Sequence, residues 1–482
     1  MRFHFRLGGF LLALTFCLSS AVMSQENAFK SIEQKGKELF QHVWQPRDPL
    51  SPSGDGLGPM FNARSCTACH PGGGSADNQR NVQLLSLKEK NSGRKKPSRV
   101  PEDLQRLMPF FEINGERTVI LHQQSTDEAY NHARRELLDL NPPAGLPASR
   151  KRLWENRQKK KRSQLPMTRV LRDFPGLELI VSERNTPALF GGALIDSIQK
   201  ADLERLEQQQ ARGNDGISGR ISIALDGRVG KFGWRGQTSS LAGFVRGACG
   251  AELGLQSGKQ VQNQNPFAPN TQLIGHDLSE SQLEALNRFV ASIERPEYRP
   301  WQELNLRQQR GLELFRQINC VSCHVENVGD VRGLYSDLLL HDMGPGLADP
   351  LPAMPELKFF QHHDSARGGG YLGAGFFTHS VSRREVTTNI LQEWRTPPLW
   401  GVADSAPYLH DGRAETLLQA ILLHQGEASE SVERFRSLSA RDREAVLTFL
   451  ESLTIGKADG RRPAQNPGGA VGRRQGPGWG GF

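Results

Sequence analysis

The chain has 482 residues, a formal net charge of +8 and a pI near 9.2. That length allows two or more domains with ordinary hydrophobic cores, and 37% hydrophobic residues argue against a disordered chain. Six cysteines in 482 residues exclude a disulfide-stapled scaffold, and the basic excess implies an acidic partner or surface.

Residues 1–24 read as a cleaved export signal. Arg2 and Arg6 precede an apolar run from Leu7 to Leu18, and the small residues Ser19-Ser20-Ala21 follow. The run is too short to span a membrane, so the expectation is a periplasmic or otherwise exported protein with no membrane span. An amphipathic helix around Gly36–Phe40 then leads to Cys66-Thr67-Ala68-Cys69-His70. A polar stretch of about 88–166 follows, with most of the basic excess in Arg150–Arg162; it reads as a solvated insertion and not as a nucleic-acid site. A second amphipathic helix around Gly311–Phe315 leads to Cys320-Val321-Ser322-Cys323-His324. The tail over 458–482 is rich in Gly, Pro and Arg and reads as disordered.

The two Cys-Xaa-Xaa-Cys-His motifs carry the chemistry. Composition alone gives roughly 0.002 chance matches to this pattern in the chain. In an exported protein it signals covalent haem c: two thiols add to the porphyrin vinyl groups, and the histidine ligates iron from one face. Paired cysteine hooks also suit tetrahedral zinc, but a histidine directly behind both hooks favours two haems. Cys249 is then a lone thiol, read as a small buried residue.

The chain also resembles itself. Gly36–Phe40 returns as Gly311–Phe315, Asn185–Gly191 as Arg395–Gly401, and Leu278–Ile293 as Leu438–Leu453, the last without gaps. The expected fold is therefore mainly α: two cytochrome c-like haem domains related by internal duplication, over 27–295 and 300–457. Long loops join the helices, the insertion lies in the first domain, and no regular strand alternation is legible. The repeat register sets Trp234 against His410 and Ala248 against His424. If His424 ligates the second iron opposite His324, the matching alanine leaves the first iron, held by His70, with an open face.

The runs Tyr335–Gly344, Glu393–Gly401, Tyr408–Ala414 and Thr416–His424 resemble the bacterial di-haem oxidoreductase family, and so do Gly58–Cys66 and Glu183–Gly191. This family is similar to the di-haem cytochrome c peroxidases and MauG-like enzymes. The resemblance implies hydrogen peroxide as oxidant at the N-terminal haem and electron transfer through the C-terminal one. In that group the second haem's distal ligand lies eight residues after a Thr like Thr416, which again reaches His424. It further implies Glu252 as the distal acid, Trp234 as the bridge between the haems, and Asn185 as ligand of an inter-haem calcium. The peroxidases' distal glutamine and proline are replaced by Phe244 and Ala248. No histidine closely follows His70, so the first iron is expected to be open at rest, with Met60 or His132 the residues that could fold onto it. The implied partners are a periplasmic electron donor or a protein substrate. The rival readings are a haem dioxygenase acting on an organic or polymeric substrate, and a di-haem electron carrier.

Overall fold

The computed structural model describes residues 30–90, 100–113, 118–139, 150, 168–213, 215–224, 226–269, 274–349 and 391–455. The export signal, nearly all of the basic run, the pair His362-His363 and the tail lie outside these residues.

The chain is mainly α-helical, and the same helix crossing is built twice. The helix over 30–41 crosses Glu280–Ser292 at Gly36, where a Cβ would fall inside the Ala285 carbonyl and 2.8 Å from Phe289 Cβ. The helix Leu306–Gln317 crosses Ala440–Glu451 at Gly311, where a Cβ would meet the Ala445 carbonyl and lie 2.7 Å from Phe449 Cβ. Only glycine lets the backbones come this close. One turn on, Phe40 packs on Phe289 with centroids 5.1 Å apart and planes at 58°, and Phe315 packs on Phe449 at 5.5 Å and 58°. Both closing helices start from a serine cap, Ser279 accepting from the Gln282 amide and Ser439 from that of Asp442.

The two Thr-Pro elements meet each other. Gly191 and Gly401 sit at φ +63° and +72°, each between an aromatic residue and a short helical turn. A Cβ on Gly191 would lie 2.7 Å from the Trp400 ring, and one on Gly401 would lie 3.6 Å from Phe190. Each glycine thus receives the aromatic side chain that precedes the other.

The sequence shows no strand alternation, yet a four-stranded antiparallel sheet is present. Its spatial order is Thr118–Ile120, Val82–Glu89, Leu177–Arg184 and Arg169–Phe174. The reason is burial on both faces: Leu84, Leu85, Ser86 and Leu87 are all inaccessible, so no polar residue marks a solvent side. Leu85 and Leu87 face a satellite core with Met108, Phe110, Phe111, Tyr130 and Leu137. The expected polar insertion is therefore corrected in its described parts: they form a second small core. On the opposite face Leu84 and Ile120 pack against Ala251, in the helix Leu241–Glu252. The sheet thereby fixes the end of the helix that carries Glu252.

Candidate haem sites

Both hooks wind alike. Cys66–Ala68 and Cys320–Ser322 are single 3₁₀ turns, and the His70 and His324 amides each donate to the first cysteine's carbonyl at 2.9 Å. Asn319, at φ +69°, opens the second turn, a left-handed conformation that asparagine tolerates. One ring nitrogen of each histidine is spent on backbone. His70 Nδ1 lies 3.2 Å from Gly74 O, and His324 Nδ1 lies 2.9 Å from Tyr335 O. Such contacts fix ring orientation and leave Nε2 as the ligand atom. Tyr335 holds its carbonyl there at φ +49°, backbone strain of the order of 1–3 kcal/mol for a non-glycine residue.

The second hook opens on a largely apolar cleft lined by Cys320, Cys323, His324 and His424. His424 terminates the helix Leu417–Leu423, which Thr416 and Gln419 start with a capping box. Its Nδ1 lies 2.7 Å from Ala420 O, one of the carbonyls left open at a helix end. His324 and His424 are thus alike: Nδ1 on backbone, Nε2 available, both on one apolar cleft. Burial depresses the pKa of each, His324 to about 4, which keeps the neutral ligating form. These residues fit a haem with two histidine ligands.

The first hook does not line that cleft. Cys66 and Cys69 pack on the main core beside Phe244 and Val245, and Cys249 is buried there too. Glu252 ends its helix close enough to Cys69 to raise that thiol's pKa. Its Oε2 accepts from Asn62 Nδ2 at 2.6 Å, and its backbone carbonyl accepts from the Asn62 amide at 2.7 Å. Asn62 cannot flip, because its Oδ1 accepts the Gln123 amide at 2.9 Å. Burial raises the Glu252 pKa to about 7, against the lowering effect of the Asn62 bond. A carboxyl poised near neutrality next to a cofactor hook is what proton transfer needs. Met60 is buried in the satellite core, and the largely exposed His132 pairs with Glu136 at 3.9 Å.

Trp234 lines the second cleft, although it lies far nearer the first hook in sequence. Its indole Nε1 donates to Asn185 O at 2.8 Å. Two residues on, the Pro187 backbone lies near enough to the His70 ring to raise its pKa against the larger lowering by burial. Only Thr186 separates the residue near the first histidine from the tryptophan's partner. Asn185 itself ties loops together: Nδ2 donates to Pro407 O at 2.7 Å, and Oδ1 accepts the Thr186 amide at 3.0 Å. A calcium ion would have to share Oδ1 with that N–H.

Residues 378–453 match a family model described as "Di-haem oxidoreductase, putative peroxidase". The match covers a C-terminal stretch of the chain and is a similarity to that family. The hydrazine synthase gamma subunit of Kuenenia stuttgartiensis is 29% identical over 154 residues, 30% of this chain and 41% of that protein. The chain thus matches about two-fifths of that relative's length. Among solved structures, a hydrazine synthase of the same organism is 20% identical over 56% of this chain and 72% of that one, with a TM-score of 0.28. A MauG-like protein associated with microbial copper homeostasis is 16% identical over 54% and 90%, with a TM-score of 0.27. A di-haem peroxidase of Burkholderia thailandensis is 18% identical over 36% and 52%, with a TM-score of 0.23.

The second cleft has a wall that the sequence did not mark. Trp394 stacks on His410 at 3.6 Å and 11°, with the Arg235 guanidinium 4.1 Å and that of Arg184 5.1 Å from Trp394's ring centre. Asp349 pairs with Arg184 and lies 3.7 Å from Arg235. Burial, then Arg184, Arg413 and Arg235, hold His410 well below the usual imidazole range, so it is neutral. Removing Asp349 would take a buried carboxylate away from two buried cations, a cost of about 3–5 kcal/mol. A second missed group joins His341 to Asp337 at 2.9 Å and to Glu427 at 2.7 Å. Cys323, Asp337 and His341 also lie together as metal-ligand types do. The Cys323 sulfur belongs to the hook, however, and both ring nitrogens of His341 face carboxylates.

Among the described residues no helix is long and apolar enough to cross a membrane.

Proposed function

We propose that the protein is an exported, periplasmic di-haem c oxidoreductase of the peroxidase type, built from two copies of one haem-binding module. The first module spans about 27–295 and the second about 300–457. The matched crossings at Gly36 and Gly311 and the reciprocal packing of Gly191 and Gly401 support that duplication.

The observation that carries the reading is an asymmetry. The second site has two oriented histidines on one cleft, whereas the place matching His424 in the first module is Ala248, with half-buried Glu252 nearby. Cys66, Cys69 and His70 would hold one haem, and Cys320, Cys323, His324 and His424 the other. When bound, haem c supplies the redox chemistry of iron and porphyrin. Hydrogen peroxide is the substrate at the first site. There Glu252 takes the proton from the near oxygen of peroxide on its carboxylate and returns it to the far oxygen, which leaves as water. Asn62 holds the carboxylate in place for both transfers. Trp234 offers a π-system between the two sites for electrons supplied by an external donor, either a small redox protein or a side chain of a protein substrate.

Haem content tests the cofactor part. The holoprotein, exported from a host that matures cytochromes c, should show two thioether-linked haems by mass. Cys66→Ala/Cys69→Ala and Cys320→Ala/Cys323→Ala should each remove one of them. Zinc in place of haem in the exported wild type would contradict the reading.

A further inference from the structure

We propose that His341 and Glu427 form a positioning clamp for the distal side of the second haem. The His341 ring, held between Asp337 and Glu427, ties the hook to the segment that presents His424. This rests on the reading of His424 as the distal ligand and adds what holds it there.

The ring is anchored first. His341 lies in the strand Leu340–Asp342, paired with Glu393–Arg395 and bonded through Leu340 to both backbone groups of Arg220 at 2.8 and 2.9 Å. Its side chain is 1% exposed. There is no spare room on its flank: a Cβ on Gly219 would lie 2.6 Å from His341 Cε1.

On the hook side, Nε2 lies 2.9 Å from Asp337 Oδ2. The Asp337 amide donates to Cys323 O at 2.9 Å. Gln210 Nε2 donates both to Asp337 Oδ2, at 2.8 Å, and to Ser322 O, at 2.7 Å. Asp337 is therefore part of the hook's own framework. The ring's other nitrogen, Nδ1, is 3.5 Å from Cys323 Sγ.

On the distal side, Nδ1 lies 2.7 Å from Glu427 Oε2. Glu427 follows His424 by three residues. The residues between are held by the same stretch of chain. Gln425 Oε1 accepts the Gly346 amide at 3.1 Å, and a Cβ on Gly426, at φ +58°, would fall inside the Asp342 carbonyl. Glu427 also accepts from the Ser218 amide at 3.0 Å and the Ser218 hydroxyl at 3.2 Å.

With a carboxylate at each ring nitrogen, both N–H groups donate and the imidazole carries a charge. Charge-assisted bonds in a buried site are the strong ones, and losing one partner leaves the other uncompensated. Among the described residues Glu427 is the link through which the ring holds the His424 segment, and without its charge the Gln425 and Gly426 contacts must hold that segment.

The test uses the ferric holoprotein with both haems, and cyanide as the probe. Cyanide enters the second site only when His424 leaves, so its capture rate reads how often the segment opens. Glu427→Gln keeps size and loses charge; it should speed capture at that haem roughly tenfold or more. It should also shift the g-values of the low-spin signal. Ser218→Ala, a milder cut, should move the rate the same way by less. Glu430→Gln, on the neighbouring surface and paired only locally with Arg434, should leave it unchanged. His424→Ala separates the two layers of the argument. If it opens the second haem while Glu427→Gln and Ser218→Ala leave rate and spectrum unchanged, the clamp is wrong. If His424→Ala leaves the low-spin signal intact, the ligand assignment falls and takes the clamp with it.

Discussion

Glu252→Gln is expected to slow the reaction with hydrogen peroxide by about 10²–10⁴-fold while both haems stay attached. The substitution keeps the shape and an oxygen for the Asn62 Nδ2 bond, so the loss falls on proton transfer. Burial lifts the Glu252 pKa from its ordinary 4.5 to about 7, the Asn62 bond opposing it. The ionised form is the base. The wild-type rate constant should therefore rise with pH and level off above about 7, and the Gln variant should lack that inflection. The stability effect has the opposite sense. A carboxyl whose folded pKa is raised contributes stability in its protonated form, fully present below about 4.5 and lost as pH rises through about 7. The Gln variant should thus gain on the wild type in thermal unfolding at pH 8 relative to pH 5. A slow variant with an unchanged pH profile and no such gain would place Glu252 outside the chemistry.

His424→Ala should convert the second haem from low-spin to high-spin in the ferric protein without releasing it, because Cys320 and Cys323 remain. The altered site lies on the apolar cleft wall, and Ala420, whose carbonyl loses its ring partner, is at a helix end where water can replace it. Added imidazole should restore the low-spin spectrum, a rescue that a purely structural defect would not show. Electron delivery to the first site should fall with it, since a bis-histidine iron changes little between redox states and an open one binds water. A low-spin second haem that survives the substitution would transfer the ligand role to another residue.

How much of this was legible in the chain follows from how local each feature is. The hooks and the closing helices are written within a few residues, and they are where the sequence placed them. His424 was reachable because a repeat compares like with like. The sheet was not, because both of its faces are covered and Val82–Glu89 offers no alternation to read. The basic excess was read from composition, yet it does not mark the buried arginines Arg184 and Arg235, whose role appears only with Trp394 and Asp349. His341 stood within a recognised run, but its partner Glu427 is 86 residues away, a distance no local pattern spans.

The central claim is that the two haem sites differ, one closed by His424 and one open beside Glu252. An electron paramagnetic resonance spectrum of the resting ferric holoprotein, repeated after one equivalent of hydrogen peroxide, tests it most directly. The expected result is one high-spin and one low-spin haem, with the high-spin signal consumed by peroxide. Two low-spin haems unchanged by peroxide, even after half-reduction, would contradict it and make the protein an electron carrier.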